Sequence, residues 1–359
     1  MHLFSIPLAQ VRSRRGAILA RSLLGLAPML IALGTSPLMA ADSRTDFLKL
    51  IDRPRVPLAA EAKTAKPSDG LVQISFSYAT EAGQRVPGVL VKASGSTGRR
   101  PAVIALHGTG GNKESQLAFL ADLAKAGFVA VAIDGRYHGE RAKSGQGSTE
   151  YVDAILRTFR TGKEHPFFFD TAWDVMRLID YLETRDDVDP KRIGLFGISK
   201  GGIETYLTAA VDPRVAAAVP CIGVESFRWA VDHDSWQSRI GTVQVAFDTA
   251  AKESGVKNPG AEFVRTFYSR IAPGIDGAFD GPAMVPLIAP RPLLSINGEL
   301  DPRTPRPGLD LCADAARAAY RAAKADEKFI LHIQPNTAHK VLPESLILAR
   351  DWFVRWLQP

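Results

Sequence analysis

A chain of 359 residues with 46% hydrophobic and 23% charged residues is long enough to bury a full core, as one large domain or as a domain with a cap. The formal net charge is +6, but without the first forty residues 40 basic residues remain against 38 acidic ones, a net charge of +2. No basic block with interleaved aromatic residues remains, which argues against nucleic acid as a partner.

The first forty residues have the pattern of a cleaved export signal. They carry no acidic residue and four arginines: Arg12, Arg14, Arg15 and Arg21. An apolar stretch at 23–33 and small residues before Ala40 complete the pattern, so we expect a signal peptide over residues 1–40 and a periplasmic or secreted protein. Residues 13–19 are similar to a twin-arginine signal, yet Arg21 interrupts the apolar segment, and both export routes stay open. The apolar run is shorter than the roughly 20 residues that span a bilayer, so no membrane anchor is expected once the signal is removed.

Residues 41–70 are polar and interrupted by prolines, which predicts a linker with one short amphipathic piece at 47–51. The folded domain is expected over residues 71–359. Between 72 and 78 apolar and polar residues alternate with a period of two, which predicts a strand with one buried face. A second strand at 86–92 is expected to pair with it as a hairpin.

From residue 100 onward, short apolar runs alternate with helical patterns. The runs are 102–106, 129–133, 193–196, 215–219, 293–296 and 329–333. Helical spacing is clear at 117–124, at 172–182 and after Pro343. Strands without a polar face indicate a parallel sheet that is covered on both sides. The sequence therefore predicts an α/β fold, with a mostly parallel twisted sheet and helices on both faces.

About seventy residues separate the runs at 215–219 and 293–296, far more than a crossover connection needs. We expect a helical cap inserted at about 224–289, over the carboxyl edge of the sheet where ligands bind. The segment is rich in aromatic residues, and most of these are expected to fill the cap's own core: Phe227, Trp229, Trp236, Phe247, Phe263, Phe267 and Tyr268. Trp229 is a candidate for substrate contact.

Ser199 lies in the sequence Gly-Ile-Ser-Lys-Gly, directly after an apolar run and before an alanine-rich helical stretch. A sharp turn between strand and helix exposes a serine hydroxyl, and glycines two residues before and after the serine allow the close approach. The pentapeptide alone is weak evidence for a nucleophile, because glycine and serine are common.

A serine hydroxyl needs a base to take its proton and a carboxylate to orient that base. His339 follows the last apolar run, and Asp301 follows the run before it, so the chain order is serine, acid, histidine. Glu299 and Glu225 compete with Asp301 for the role of the acid. The alternative role for Asp301 is to cap the helix that starts near Pro305.

Backbone amides are needed to stabilise the negative charge that develops on the ester oxygen. The amide of Lys200 is one candidate donor, because it begins the helix after Ser199. Thr109 is favoured as the second donor and Gly110 comes next, since both lie in a glycine-rich turn after the first parallel run. His107 is expected to orient this turn, and the side chain of Lys200 is expected to be solvated or ion-paired.

The segment 134–141 ends another strand at the same edge of the sheet and is expected to form part of the pocket wall. Tyr137 and Arg136 are candidates for substrate contact, although an internally hydrogen-bonded loop is the simpler interpretation. Cys221 and Cys312 are expected to be buried free thiols, because a protein of this size needs no disulfide.

These motifs together resemble the α/β-hydrolase superfamily over roughly residues 70–357. The segment 134–141 and the sequence Ser-Lys-Gly-Gly from Ser199 are most similar to the dienelactone hydrolase, acetyl xylan esterase and prolyl-oligopeptidase-like group. Two departures matter. Dienelactone hydrolases have a cysteine where this chain has Ser199, and the chain is too short for the propeller domain of a prolyl oligopeptidase.

The resemblance implies an exported serine esterase that acts through an acyl-enzyme on small or medium esters. Ser199, Asp301 and His339 would be catalytic, and no metal or organic cofactor is implied. A peptidase, a thioesterase and a non-catalytic binding protein remain alternatives. The partner expected of the enzyme is a small-molecule ester.

Overall fold

A computed structural model describes residues 37–143 and 147–358 of the chain. The predicted signal peptide at 1–40 lies outside these ranges except for its last four residues. Within the described residues, no helix is both long and apolar enough to cross a membrane.

The described strands form a single sheet with the order β1-β2-β3-β5-β4-β6-β7-β8-β9. They are β1 (Glu61–Thr64), β2 (Leu71–Glu81), β3 (Gln84–Ala93), β4 (Arg100–Leu106), β5 (Val129–Ile133), β6 (Val188–Ile198), β7 (Val215–Cys221), β8 (Leu293–Gly298) and β9 (Phe329–Gln334). Strands β1 to β3 pair antiparallel, β3 pairs antiparallel with β5, and every pairing from β5 to β9 is parallel. The carboxyl ends of the parallel strands therefore meet at one edge.

The helices lie on both faces and over this edge. They are α1 (Pro37–Ile51), α2 (Leu117–Lys125), α3 (Gly147–Thr161), α4 (Phe169–Glu183), α5 (Lys200–Val211), α6 (Phe227–Asp232), α7 (Gln237–Ile240), α8 (Gln244–Glu253), α9 (Ala261–Ile271), α10 (Gly281–Met284), α11 (Arg306–Ala322) and α12 (Pro343–Leu357).

Strand β4 shows why the apolar runs have no polar face. Its side chains alternate between two buried clusters: Ile104 and Leu106 pack with α4 and α5 on one face, whereas Val103 and Ala105 pack with α2 and α12 on the other. Both faces of the strand are thus removed from water, which requires apolar residues at every position. The predicted mostly parallel sheet with helices on both faces is confirmed.

The segment 41–70 is more structured than the predicted linker. Phe47 and Ile51 of α1 are buried, and the Phe47 ring packs edge-on against Phe169 with their centroids 4.9 Å apart. Arg44 donates hydrogen bonds to the carbonyl oxygens of Ala210 and Leu287 at 2.9 and 2.8 Å. The prediction underestimated this segment because the buried residues in the described part of α1, Phe47 and Ile51, form only a short apolar pattern, which does not identify a docked helix.

A helical cap lies between β7 and β8, as the length of that interval predicts. It contains α6 to α10, and its aromatic residues pack on one another: the Phe247 ring lies 5.3 Å from that of Phe263 and 5.4 Å from that of Phe267. Helix α3, which the sequence analysis did not predict, adds Phe159 to this cluster at 5.5 Å from Phe267. Cys221 and Cys312 are buried free thiols, as expected.

Candidate active site

Ser199 lies on the tight turn that joins β6 to α5. Its φ of +57° is in the left-handed region, a strained conformation for a residue other than glycine. A Cβ at Gly197 would lie 2.1 Å from the carbonyl oxygen of Gly201, and a Cβ at Gly201 would lie 2.5 Å from that of Leu106. Only glycine fits at these two positions, so they allow the turn to bring Ser199 to the carboxyl edge of the sheet.

The hydroxyl of Ser199 is hydrogen-bonded to His339, at 2.8 Å from Oγ to Nε2. On its other side, the Nδ1–H of His339 donates to Asp301, at 2.8 Å to Oδ2 and 3.0 Å to Oδ1. The side chain of Asp301 is fully buried, whereas that of His339 is 24% exposed. Burial alone would raise the pKa of Asp301, but the hydrogen bond and the charge of His339 hold it below its usual value.

This geometry distinguishes Asp301 from its two competitors. Glu299 accepts a hydrogen bond from the amide of Asn336 at 2.8 Å and holds the turn before His339. Glu225 is buried behind the site, and among the described residues neither of its carboxyl oxygens has a hydrogen-bond partner. Burial raises the pKa of Glu225 to about 9, so this carboxyl is neutral at pH 7.

The glycine-rich turn after β4 lies against the nucleophile turn. A Cβ at Gly108 would be 3.3 Å from the carbonyl oxygen of Ile198 and 3.5 Å from the Cβ of Ser199. No acceptor among the described residues takes the backbone N–H of Thr109, Gly110 or Lys200. Thr109 and Lys200 line the cleft at Ser199, whereas Gly110 is exposed, with a φ of +79°. The two candidate donors therefore border one space, and Gly110 instead shapes the turn.

His107 holds the glycine-rich turn in place. Its Nδ1–H donates to the carbonyl oxygen of Gly108 at 2.8 Å, and its Nε2 accepts from the amide of Gly135 at 3.0 Å. Burial, together with the nearby charge of Lys200, lowers its pKa to about 4. The ring is neutral with both nitrogens occupied, which fits the expected orienting role.

The side chain of Lys200 is buried and ion-paired with Glu204. The expectation of an ion-paired lysine therefore agrees with the structure, whereas a solvated one does not.

The cleft beside Ser199 is small, with a cavity volume of about 30 Å³. Its walls come from the turn after β4, the nucleophile turn, the cap and the segment before α4. They include residues that the sequence analysis did not select: Phe167, Phe168, Ile203, Ile222, Ser238, Arg239, Thr242 and Arg303. Three consecutive phenylalanines at 167–169 were a visible signal for a packed segment, but nothing in the sequence placed them near Ser199.

Two of the candidate substrate contacts, Tyr137 and Trp229, lie outside the cleft. The hydroxyl of Tyr137 donates to Glu164 at 2.5 Å and accepts from Arg157 at 2.7 Å, so it is occupied within the protein. Trp229 stacks on His233 with their ring centroids 4.7 Å apart. Its neighbour Phe227, two residues earlier on α6, points into the cleft instead, which reflects the helical periodicity of about 3.6 residues.

The remainder of the segment 134–141 is an internally bonded loop. Arg136 forms hydrogen bonds with both carboxyl oxygens of Asp174, at 2.9 and 3.0 Å, and a further one with Glu81 at 2.5 Å. Asp134 accepts from the amide and the ammonium group of Lys113. These bonds are satisfied inside the protein, so Arg136 has no role as a substrate contact.

Comparison with known proteins agrees with this arrangement. Residues 62–234 match the sequence model of a family described as acetyl xylan esterase (AXE1). The chain is 27% identical over 297 residues to the "Putative hydrolase YtaP" of Bacillus subtilis strain 168, an alignment that covers 79% of this chain and 88% of that protein.

Solved structures share the fold at lower sequence identity. The acetyl xylan esterase from Paenibacillus sp. R4 superposes with a TM-score of 0.61 at 20% identity, covering 89% of this chain and 94% of that one. Methylesterase BT1017 superposes with a TM-score of 0.63 at 20% identity over 89% of this chain, which spans 63% of that chain's length. At these identities the likeness concerns the fold alone. The chain therefore shares the fold of these esterases, and its residues 62–234 resemble the acetyl xylan esterase family.

Proposed function

We propose that this protein is an exported serine hydrolase that cleaves carboxylic esters of short acyl groups through an acyl-enzyme. The observation that carries the proposal is the hydrogen-bonded chain from Ser199 through His339 to buried Asp301, on a strained turn at the carboxyl edge of the sheet. The match of residues 62–234 to acetyl xylan esterases supports ester hydrolysis as the reaction.

In the proposed reaction, Oγ of Ser199 attacks the ester carbonyl while Nε2 of His339 takes the hydroxyl proton. Asp301 remains ionised, fixes the tautomer of the imidazole ring and stabilises the imidazolium that forms. The amides of Thr109 and Lys200 donate to the oxyanion of the tetrahedral intermediate. His339 then protonates the leaving alcohol, and water, activated by the same histidine, releases the acid from Ser199.

The size of the cleft supports short acyl groups. A cleft with a cavity volume of only about 30 Å³ favours a small acyl group over a long alkyl chain. Phe168 and Phe227 both line the cleft, and their rings lie 6.2 Å apart in an edge-on arrangement. An acyl chain longer than a few carbons would have to displace one of these rings.

A fluorophosphonate probe tests whether Ser199 is the nucleophile. Such probes phosphonylate only serines that are activated by a neighbouring base, so the folded protein should be labelled at Ser199 and labelling should disappear in Ser199→Ala. Ser238→Ala is a matched control, because Ser238 also lines the cleft but its hydroxyl has no partner among the described residues. An unlabelled wild-type protein would show that this site is a non-catalytic binding pocket.

A series of 4-nitrophenyl esters from acetate to octanoate tests the acyl preference. We expect kcat/KM to fall steeply beyond butyrate, because the longer chains do not fit in the cleft. Equal rates along the series would contradict a closed acyl pocket. Substitution of a thioester or an anilide for the acetate ester in the same assay separates the proposed activity from that of a thioesterase or a peptidase.

The proposal of export has its own test. Expression of the full chain in a Gram-negative host, followed by mass spectrometry of the periplasmic fraction, should find an amino terminus near residue 41. Recovery of an intact amino terminus from the cytoplasm alone would overturn this part of the proposal and leave the catalytic part standing.

A further inference from the structure

Two arginines that line the cleft have no carboxylate partner among the described residues. Arg239, on α7, is only 7% exposed, and its guanidinium lies 5.2 Å from the ring centroid of Phe227. Arg303 follows Asp301 by two residues and is half-buried. Within residues 37–143 and 147–358, no carboxylate lies within 4.0 Å of either guanidinium, and the buried Nε of Arg239 has no hydrogen-bond partner.

Other buried arginines of this fold are paired. Arg136 and Arg141 share Asp174, and Arg177 pairs with Asp180. A buried charge without a partner costs several kcal/mol, and the penalty is relieved only by a counter-charge and hydrogen bonds. Arg239 differs from these arginines because it is buried without a carboxylate partner.

Nearby carboxyl groups do not supply the missing counter-charge. Asp301 is bound to His339 and accepts a further hydrogen bond from the backbone amide of Arg303 at 2.8 Å. Asp280 accepts from the hydroxyl of Ser226 and from the amide of Phe227. Glu225 forms no ion pair with Arg239 among the described residues, and burial raises its pKa to about 9 although the nearby charge of Arg239 lowers it.

The positive charge of the cleft is therefore concentrated on its two arginines. Lys200 also borders the cleft, but its ammonium group is neutralised by Glu204. No aspartate or glutamate is among the residues that line the space. A guanidinium offers a planar pair of N–H donors that matches the two oxygens of a carboxylate.

We propose that the ester substrate carries a carboxylate, which Arg239 and Arg303 bind while Ser199 attacks the ester carbonyl. The inference rests on the proposed esterase function and names its substrate class. A carboxylate placed there supplies the counter-charge that Arg239 lacks among the described residues. The carboxylate belongs to either the acyl or the alcohol portion of the ester, and the experiment below distinguishes the two.

Two pairs of esters provide the test, because in each pair a carboxylate is replaced by a methyl ketone of nearly the same shape. For the acyl side the pair is 4-nitrophenyl hydrogen succinate and 4-nitrophenyl levulinate. For the alcohol side it is 4-acetoxybenzoate and 4-acetoxyacetophenone. The relevant quantity is the ratio of kcat/KM within a pair, compared between wild type and variants, because leaving-group reactivity then cancels.

We expect Arg239→Gln to lower kcat/KM about tenfold to a hundredfold for the carboxylate member of one pair, the range expected for loss of a charged hydrogen bond. Hydrolysis of the ketone member should change less than threefold. Arg303→Gln should act in the same direction. Arg306→Gln is the matched control, since Arg306 is 52% exposed, pairs with Asp310 and does not line the cleft. Equal losses on both members of both pairs, or unchanged ratios in both variants, would overturn the proposal.

A binding measurement separates this inference from the esterase activity. In Ser199→Ala, acetate should raise the unfolding temperature and acetamide should not, and the acetate effect should disappear when Arg239→Gln is added. If acetate stabilises the protein but the wild type hydrolyses no ester, the proposed esterase function is refuted and the carboxylate site is supported. If Arg239→Gln does not fold, Arg303→Gln and Arg239→Lys carry the same comparison. Identical responses to acetate and acetamide would refute the site.

Discussion

The unpartnered glutamate behind the active site gives a quantitative prediction. Glu225 is fully buried, and a Cβ at Gly308 would lie 1.7 Å from its Oε1, so the carboxyl group fills the space beside a glycine of α11. Burial raises its pKa from the usual 4.5 to about 9. The folded state therefore holds a proton that the unfolded chain releases between these two pH values, and the resulting stability is lost as the pH rises through this window.

The magnitude follows from the width of the window. Each pH unit between the two pKa values changes the free energy of unfolding by about 1.4 kcal/mol, so the step from pH 5.5 to 7.5 costs the wild type about 2.7 kcal/mol through this one group. Glu225→Gln keeps the shape and removes the titration. We expect the variant to gain about 2 to 3 kcal/mol relative to wild type over the same two pH units.

Urea unfolding followed by tryptophan fluorescence at pH 5.5 and pH 7.5 measures this difference directly. Glu327→Gln, at an exposed position just before β9, is the control and should follow the wild type at both values. If Glu225→Gln also follows the wild type, then Glu225 is ionised in the folded protein. In that case it would provide the counter-charge for Arg239 that we have argued is absent.

Three further predictions concern the site. Asp301→Asn should lower kcat for 4-nitrophenyl acetate by about 10⁴-fold, because the amide fixes the wrong tautomer of His339. Glu299→Gln is the control and should retain near wild-type rates, since the Glu299 carboxylate only accepts a hydrogen bond from the amide of Asn336. Phe168→Ala should open the cleft and so raise kcat/KM for the hexanoate ester relative to the acetate ester. Urea titration should show a loss of about 3 to 5 kcal/mol in the free energy of unfolding. An unchanged dependence of kcat/KM on chain length would show that Phe168 does not limit the acyl group. Gly197→Ala should lower the urea midpoint and abolish probe labelling, because its Cβ would lie 2.1 Å from a backbone oxygen. Gly260→Ala is the control and should be tolerated, since a Cβ there meets nothing within 4 Å. Normal labelling of Gly197→Ala would show that the turn does not require the close approach of glycine.

The parallel sheet and the hydrogen-bonded residues were predictable because both follow from local sequence. Ser199 comes directly after an apolar run, Asp301 and His339 follow later runs within a few residues, and the carboxyl ends of parallel strands meet at one edge. Chain order and residue type were then sufficient to nominate the three side chains. Their catalytic roles remain predictions, which the labelling and kinetic experiments test.

The walls of the cleft could not be predicted in the same way. Arg239 and Phe168 come from segments outside the sheet, and their positions depend on how the cap packs against α3 and α5. Phe168 has a φ of +86°, a conformation set by tertiary contacts rather than by local preference. Tyr137 and Trp229 were selected as aromatic residues near the site. The charged side chain of Arg157 holds Tyr137 away from the cleft, and the position of Trp229 on α6 directs its ring towards His233 instead.

The amino-terminal helix has a consequence for the shortest chain that can fold with a functional site. Arg44 is bonded to a carbonyl oxygen in the last turn of α5, and the first turn of α5 follows Ser199 directly. Arg291 bonds to the adjacent carbonyl oxygen of Ala209, so two cations occupy the carboxyl end of this helix, where they interact favourably with its dipole. A recombinant protein that starts at Leu71 would lose Arg44 together with the buried Phe47, so the safe boundary for truncation lies before Arg44.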